Sequence, residues 1–307
     1  MARGVVSRTF GLRRPLHLGL TLGPLRRGRS DPSMRIGPGG VWRATRTPEG
    51  PVTTRVSVAD GIVTMQAWGP GAEWSAAALP ALVGEDDDEA GFEPREPVVA
   101  RLRKRLPGLR IGRSGAVVEA LVPTIIEQKV VGLEAKKSYA GLVRALGEPA
   151  PAAEVEDAPR LILPPDAARL AATPSYQFHR FGIERRRADT IRRACSYAGR
   201  LEEAAAMAPD DAKRRLTALP GIGPWTAAEV ALLAMGDPDA VSVGDYHLPH
   251  QVAWALAGEA RADDARMLEL LEPYRGHRGR VIRLILAGAP KPPRFGPRMP
   301  MRSIANI

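Results

Sequence analysis

Two short strings hold the residues that could do chemistry together. One is glycine-rich, Leu219-Pro220-Gly221-Ile222-Gly223-Pro224-Trp225-Thr226-Ala227; the other, Val243-Gly244-Asp245-Tyr246-His247, places a lone carboxylate about twenty residues later. Gly221 and Gly223 allow φ > 0 and leave no side chain between backbone and ligand. Pro224 suits the first position of a following helix. The amides of the turn and of that helix then point outward, a natural site for phosphate. A bare Gly-x-Gly would fit an ordinary two-helix turn that binds nothing; the full string is far more specific.

Asp245 on its own reads as the N-cap of a helix beginning at Tyr246, a role that contributes about 1 kcal/mol. Placed after the hairpin, it reads as a fixed anion facing a cationic transition state. Cleavage of an N-glycosidic bond gives the sugar oxocarbenium character, which such a carboxylate stabilises, and the same group can orient or deprotonate the attacking water. Asp245, His247 and His250 also spell a pattern of metal-ligand types. Helical phase puts Asp245 off the two histidines, so surface or DNA-facing roles fit them better.

These residues need a scaffold, and the composition bounds it. The chain has 307 residues, 44% hydrophobic and 25% charged, enough for two globular domains. A net charge of +10 favours a polyanionic partner, although a generally Arg-rich proteome would give the same sign. The single cysteine, Cys195, excludes a disulfide within the chain and a cysteine-ligated iron–sulfur or zinc site, and reads as a small buried hydrophobe. No apolar run approaches the ~20 residues that span a bilayer. Arg13-Arg14 precedes a stretch broken by His17, Thr21 and glycines, so no export signal is expected. A monomer in the bacterial cytoplasm, associated with the nucleoid and not with membrane, is the expected setting.

Along the chain, residues 1–12 read as a loose leader, and Leu16, Leu18, Leu20 and Leu22 alternate as a strand would. Strands are expected at 41–46, 52–58 and 62–68, the last two joined by the hairpin turn Ala59-Asp60-Gly61, with a helix at 74–83. The acidic run 85–89 reads as a solvated linker closing an N-terminal α+β domain over 1–90. A helical domain follows over 91–289, with helices expected at 98–106, 116–131, 133–146, 166–172, 185–198, 201–207, 209–216, 224–235, 246–256, 262–271 and 278–286. Residues 290–307 read as a basic, Pro-rich, disordered tail.

The two opening strings resemble the helix-hairpin-helix, Gly/Pro-rich loop and aspartate of the base-excision DNA glycosylase superfamily. Within it, the chain is most similar to the alkylation-repair branch, the 3-methyladenine DNA glycosylase II type. The resemblance extends to Val122-Pro123-Thr124-Ile125-Ile126-Glu127-Gln128-Lys129-Val130, to Glu272-Pro273-Tyr274-Arg275 and to the small β domain, over most of residues 10–288. It implies a mainly α fold with two helical subdomains around a cleft, the hairpin at 216–228, and a small antiparallel β/α domain in front.

It also implies roles. Asp245 is the catalytic aspartate. Gly221, Ile222, Gly223, Thr226, Gln128, Lys129 and His247 meet DNA, with Lys129 at the position of the wedge that fills the gap left by a flipped nucleotide. The carbonyls of Thr217, Leu219 and Ile222 hold a monovalent cation such as Na+ or K+, and no other cofactor is implied. Trp225 stands where bifunctional relatives carry the Schiff-base lysine, so strand cleavage is not implied, and Trp225 and Tyr246 line the base pocket.

Two departures bear on the substrate. The wedge is usually apolar, and Glu229 and Arg283 replace pocket aromatics, where they either pair or hydrogen-bond a neutral lesion. The implied activity is that of a monofunctional glycosylase acting on double-stranded DNA with a flipped-out, alkylated base. The alternatives are a glycosylase for a non-alkylated lesion, a non-catalytic helix-hairpin-helix DNA-binding protein, and a bifunctional enzyme using the Lys129 amine.

Overall fold

The computed structural model describes residues 4–152 and 155–293. Five antiparallel strands come first: β1 Val6–Gly11, β2 Met34–Gly37, β3 Gly40–Thr47, β4 Gly50–Ala59 and β5 Ile62–Trp68, in the order β1-β5-β4-β3-β2. The expected β4–β5 hairpin is present. Asp60 and Gly61 have φ of 50° and 73°, the paired left-handed values that match the twist of the flanking strands. One face of the sheet packs Val41, Val52, Val56, Val63 and Met65 against Leu79 of α2, Ala72–Leu82.

Two N-terminal expectations are corrected. Residues 6–11 are a full edge strand paired with β5, not a loose leader. The alternating leucines form a short helix, α1 Leu18–Leu22, whose first turn is capped by His17 Nδ1 accepting from the Leu20 amide. The alternation has a different cause from strand pleating. Leu16, Leu18 and Leu22 join the sheet core, whereas Leu20 packs against the C-terminal helices.

The central helical cluster is built around α4, Val117–Glu127, in which nine consecutive residues from Val117 to Ile125 and then Ile126 are buried but for Glu119. A helix apolar on nearly every side must be enclosed. It is surrounded by α5 Gly132–Leu146, α6 Ala167–Ala172, α7 Arg185–Ser196, α8 Ala198–Glu202, α9 Pro209–Thr217 and α10 Pro224–Val230. Glu202 caps α4 by accepting from the amides of Val117 and Val118 at 2.8 and 2.9 Å. A short ribbon of β6 Glu148–Pro149 and β7 Ile162–Leu163 leans on β3.

The second helical cluster draws α3, Pro97–Arg105, together with α11 Leu248–Ala257, α12 Asp264–Leu271 and α13 Arg278–Gly288. Val99, Leu102, Val252, Met267, Leu271, Val281 and Ile285 form its core. The segment between α10 and α11 crosses from one cluster to the other and carries Asp245.

The acidic run is paired rather than solvated. Asp87 binds Arg280 through both oxygens at 2.8 and 2.6 Å and accepts from the Ile111 amide, with side chains only 2% and 3% exposed. Glu85 pairs with buried Arg110, and Glu89 with Arg14 and Arg103. Buried charges persist only when matched in this way. The run therefore clamps the N-terminal residues, α3 and α13 together. From residue 294 onward the expected tail lies outside the described residues.

Candidate active site

The hairpin joins α9 to α10, and its two glycines do different work. Gly221 has φ of +96°, and a Cβ there would lie 2.4 Å from Thr190 Oγ1, so both conformation and space demand glycine. Gly223 would also allow φ > 0. It is instead extended, with φ −100° and ψ −179°, at the N-cap of α10, and no atom lies within 4 Å of where its Cβ would be. Its missing side chain leaves an open approach to the α10 amides rather than a special turn.

The hairpin is braced from α4. Gln128 Nε2 donates to the Gly221 carbonyl at 3.0 Å and to Thr226 Oγ1 at 2.9 Å. Thr226 is only 1% exposed and Ile222 5%, so their side chains belong to the interior and only their backbone can meet a ligand. The Leu219 carbonyl accepts the Ile222 amide at 3.1 Å, and the Thr217 hydroxyl donates back to Lys213 and Arg214. Lys129 follows Gln128 in a left-handed conformation, φ 54°, with its side chain exposed.

Asp245 is fixed by three donors. Oδ1 accepts from the amides of His247 and Leu248 at 2.7 and 2.8 Å, and Oδ2 accepts from the indole Nε1–H of Trp225 at 3.1 Å. The helix expected to start at Tyr246 starts at Leu248, so Asp245 stands ahead of it and reaches forward to cap it. Gly244, at φ +92°, donates its amide to Asp264 Oδ2 at 2.9 Å, anchoring the loop to α12.

Glu229 lies one helical turn beyond Trp225, on the same face of α10. It accepts from Ser242 Oγ, three residues before Asp245 in the same loop. Burial raises its pKa above the ordinary 4.5, with the charges of Glu127 and Asp245 adding to the effect; the Ser242 bond and the Arg27 charge partly offset it. Arg27, between α1 and β2, reaches the Ala120 carbonyl at 3.4 Å and Glu127 at 3.5 Å. Burial lowers the pKa of Arg283, and the charge of Glu229 opposes that shift. Arg283 and Glu229 form no salt bridge among the described residues: Arg283 donates to the Leu20 carbonyl at 2.8 Å.

No family model matches the sequence, and no curated protein matches it. Solved structures do. A 3-methyladenine DNA glycosylase from Archaeoglobus fulgidus superposes with a TM-score of 0.74 at 18% identity, over 91% of this chain and 97% of that one. The apo form of an 8-oxoguanine glycosylase/lyase from Clostridium acetobutylicum gives 0.69 at 13% identity, over 93% and 98%. The same enzyme in complex with double-stranded DNA gives 0.67 at 14%, over 92% and 96%. The chain has the helix-hairpin-helix DNA glycosylase fold.

Within that glycosylase fold the remaining sequence candidates take definite places. Tyr246 is 79% exposed and meets His247 edge-on, with ring centroids 4.9 Å apart. His247 is exposed beside it. His250, expected at the surface or on DNA, accepts the Ala262 amide on Nδ1 at 3.1 Å and braces the loop before α12. Among the described residues no group of three or more His, Cys, Asp or Glu could hold a metal. Cys195 is buried, and burial pushes its thiol up to about 12, which makes it a poor nucleophile.

Three kinds of contributor escaped the sequence. Ser242 and Asp264 bind the Asp245 loop, but neither carries a motif that separates it from an ordinary polar residue. Arg27 reaches Glu127 across a hundred residues of chain. The third is a groove beside the hairpin, lined by Arg185, Arg186, Asp189, Thr190, Arg193, Pro220 and Gly221, in which Arg193 donates to the Pro220 carbonyl at 2.9 Å. The basic character of α7 was legible; its contact with the hairpin was not.

Proposed function

We propose that the protein is a monofunctional DNA glycosylase that hydrolyses the N-glycosidic bond of a damaged base flipped out of duplex DNA. The observation that carries the reading is the Asp245 carboxylate, held by Trp225 of the hairpin helix and by the amides opening α11. A preorganised anion at that place opposes the positive charge that develops on the sugar without having to reorient as the bond breaks. It also orients the water that attacks the anomeric carbon.

The open backbone at Gly223 and the α10 N-terminus bind the phosphate of the deformed strand, and the arginines of α7 extend that track. Thr217, Leu219 and Ile222 offer carbonyls for a monovalent cation at the same turn. Lys129, exposed at the tip braced by Gln128, enters the gap left by the flipped nucleotide, its aliphatic stem filling the stack. No lysine occupies the Trp225 position, so strand cleavage does not accompany base release.

The resemblance to the 3-methyladenine branch makes an alkylated base one candidate substrate. Glu229, beside Asp245 and bonded to Ser242, favours a second, a non-alkylated lesion read through hydrogen bonds. The test is base release from duplexes carrying alkylated, deaminated and oxidised bases. Release from at least one, without borohydride-trapped adducts, is the expected result. Failure to release any base while still binding DNA would identify a non-catalytic helix-hairpin-helix binding protein, and trapping of an adduct would restore Lys129 as a nucleophile.

A further inference from the structure

The glycosylase reading assigns one carboxylate to the chemistry, but a second lies beside it. Trp225 and Glu229 are four residues apart on α10 and so face the same way. Trp225 holds Asp245 and Glu229 accepts from Ser242, so the two side chains grip the same four-residue loop that carries the catalytic aspartate. Glu229 is half-buried, so part of it stays open to a ligand. Ser242 Oγ–H donates to Oε1, and among the described residues no hydrogen bond engages Oε2, the oxygen open to hold a proton.

We propose that Glu229 is the general acid of this site, donating a proton from Oε2 to a ring nitrogen of the departing base, and that the substrate is therefore a neutral, non-alkylated lesion. An N7- or N3-alkylated purine is already cationic; it leaves with the bonding electron pair as a neutral molecule and needs no proton. A neutral base departs as an anion unless it is protonated as the bond breaks. In this step the C1′–N bond breaks and its electron pair goes to the base, which takes the Glu229 proton. Asp245 faces the cationic C1′. Water adds its oxygen to C1′ and gives up a proton to Asp245, from which solvent returns one to Glu229.

The surroundings suit that task. Burial, with the neighbouring Glu127 and Asp245 charges adding to it, keeps the Glu229 proton bound above the usual range for a glutamate, while the Ser242 bond and the Arg27 charge limit the shift. Two carboxylates in unlike surroundings, one accepting charge and one giving a proton, are the arrangement acid–base catalysis requires.

This inference rests on the glycosylase reading, and one experiment separates the two. Single-turnover release of hypoxanthine or 8-oxoguanine and of cationic 7-methylguanine is followed against pH for the wild type and Glu229→Gln. The wild type should release a neutral base, with a rate that falls as pH rises through the Glu229 pKa. In Glu229→Gln that limb should vanish, and neutral-base release should drop roughly 100-fold or more. The ratio of neutral to 7-methylguanine release should fall at least tenfold. A wild type that releases only 7-methylguanine, or a variant that slows both kinds in proportion, overturns the inference and leaves the glycosylase reading standing. Release of no base overturns both. Should Glu229→Gln fail to fold, the wild-type pH limb, present for the neutral base and absent for 7-methylguanine, decides alone.

Discussion

The indole N–H of Trp225 donates to Oδ2 of Asp245 at 3.1 Å, joining the first turn of the hairpin's second helix to the loop that carries the candidate catalytic group. The helix that opens at the hairpin thus also orients the carboxylate, so in the proposed function DNA docking and the chemistry would share one rigid element. Trp225→Phe keeps the aromatic face and removes the donor. A hydrogen bond to a charged group is worth about 2 kcal/mol, so single-turnover base release should fall roughly thirtyfold. Affinity for undamaged duplex should change little. Equal rates in the variant would mean that the bond does not orient Asp245.

The two hairpin glycines should respond in opposite ways. Gly221→Ala forces a Cβ into Thr190 at a positive φ, and should cost about 2 kcal/mol or more of stability. Gly223→Ala fits the extended backbone and open space, so its melting temperature should stay near wild type. Its methyl group would stand in the path of a phosphate, and DNA affinity should fall about tenfold. Thermal denaturation beside fluorescence anisotropy with a labelled duplex checks both.

Arg185 projects almost fully into solvent beside the hairpin, its side chain 91% exposed, and Arg186 flanks it. If the groove follows the DNA backbone, Arg186→Ala should weaken binding to all sequences alike. It should also lower the slope of log K against log salt by about 1. An unchanged slope would remove α7 from the DNA track.

Asp239 gives a stability prediction with a definite sign. Burial alone would raise its pKa, but donors from Arg278 and Gly276 outweigh burial and hold it below the ordinary 3.8. A carboxylate depressed in the folded state contributes stability above its unfolded pKa, and loses it as pH falls through the lower folded value. Asp239→Asn should therefore destabilise the protein by about 1–3 kcal/mol near neutral pH. The difference from wild type should shrink below pH 3.8, as followed by urea denaturation at several pH values.

Local chemistry was legible and long-range pairing was not. The β4–β5 turn, the hairpin glycine at 221 and the capping carboxylate at 245 all announce themselves through residue types whose preferences act over a few residues. The leucines at 16–22 misled because alternation reads as a strand with one buried face, and here one short helix serves two different cores. The acidic run misled for a related reason. A charge run says nothing of its partners, and Arg280, which neutralises Asp87, lies almost two hundred residues away. Within the site, Asp245 and Trp225 were readable, but the Ser242–Glu229 bond and the Arg27 contact depend on how α10, its following loop and the segment between α1 and β2 meet.

The central claim is that Asp245 opposes the charge of the transition state, and Asp245→Asn tests it most directly. Asparagine keeps an oxygen for the His247 and Leu248 amides, so the variant should fold and bind lesion-containing duplex with near wild-type affinity. Single-turnover release of the base on which the wild type is active should fall by roughly 100- to 1,000-fold or more. Base release at the wild-type rate by the folded, DNA-bound variant would contradict the account.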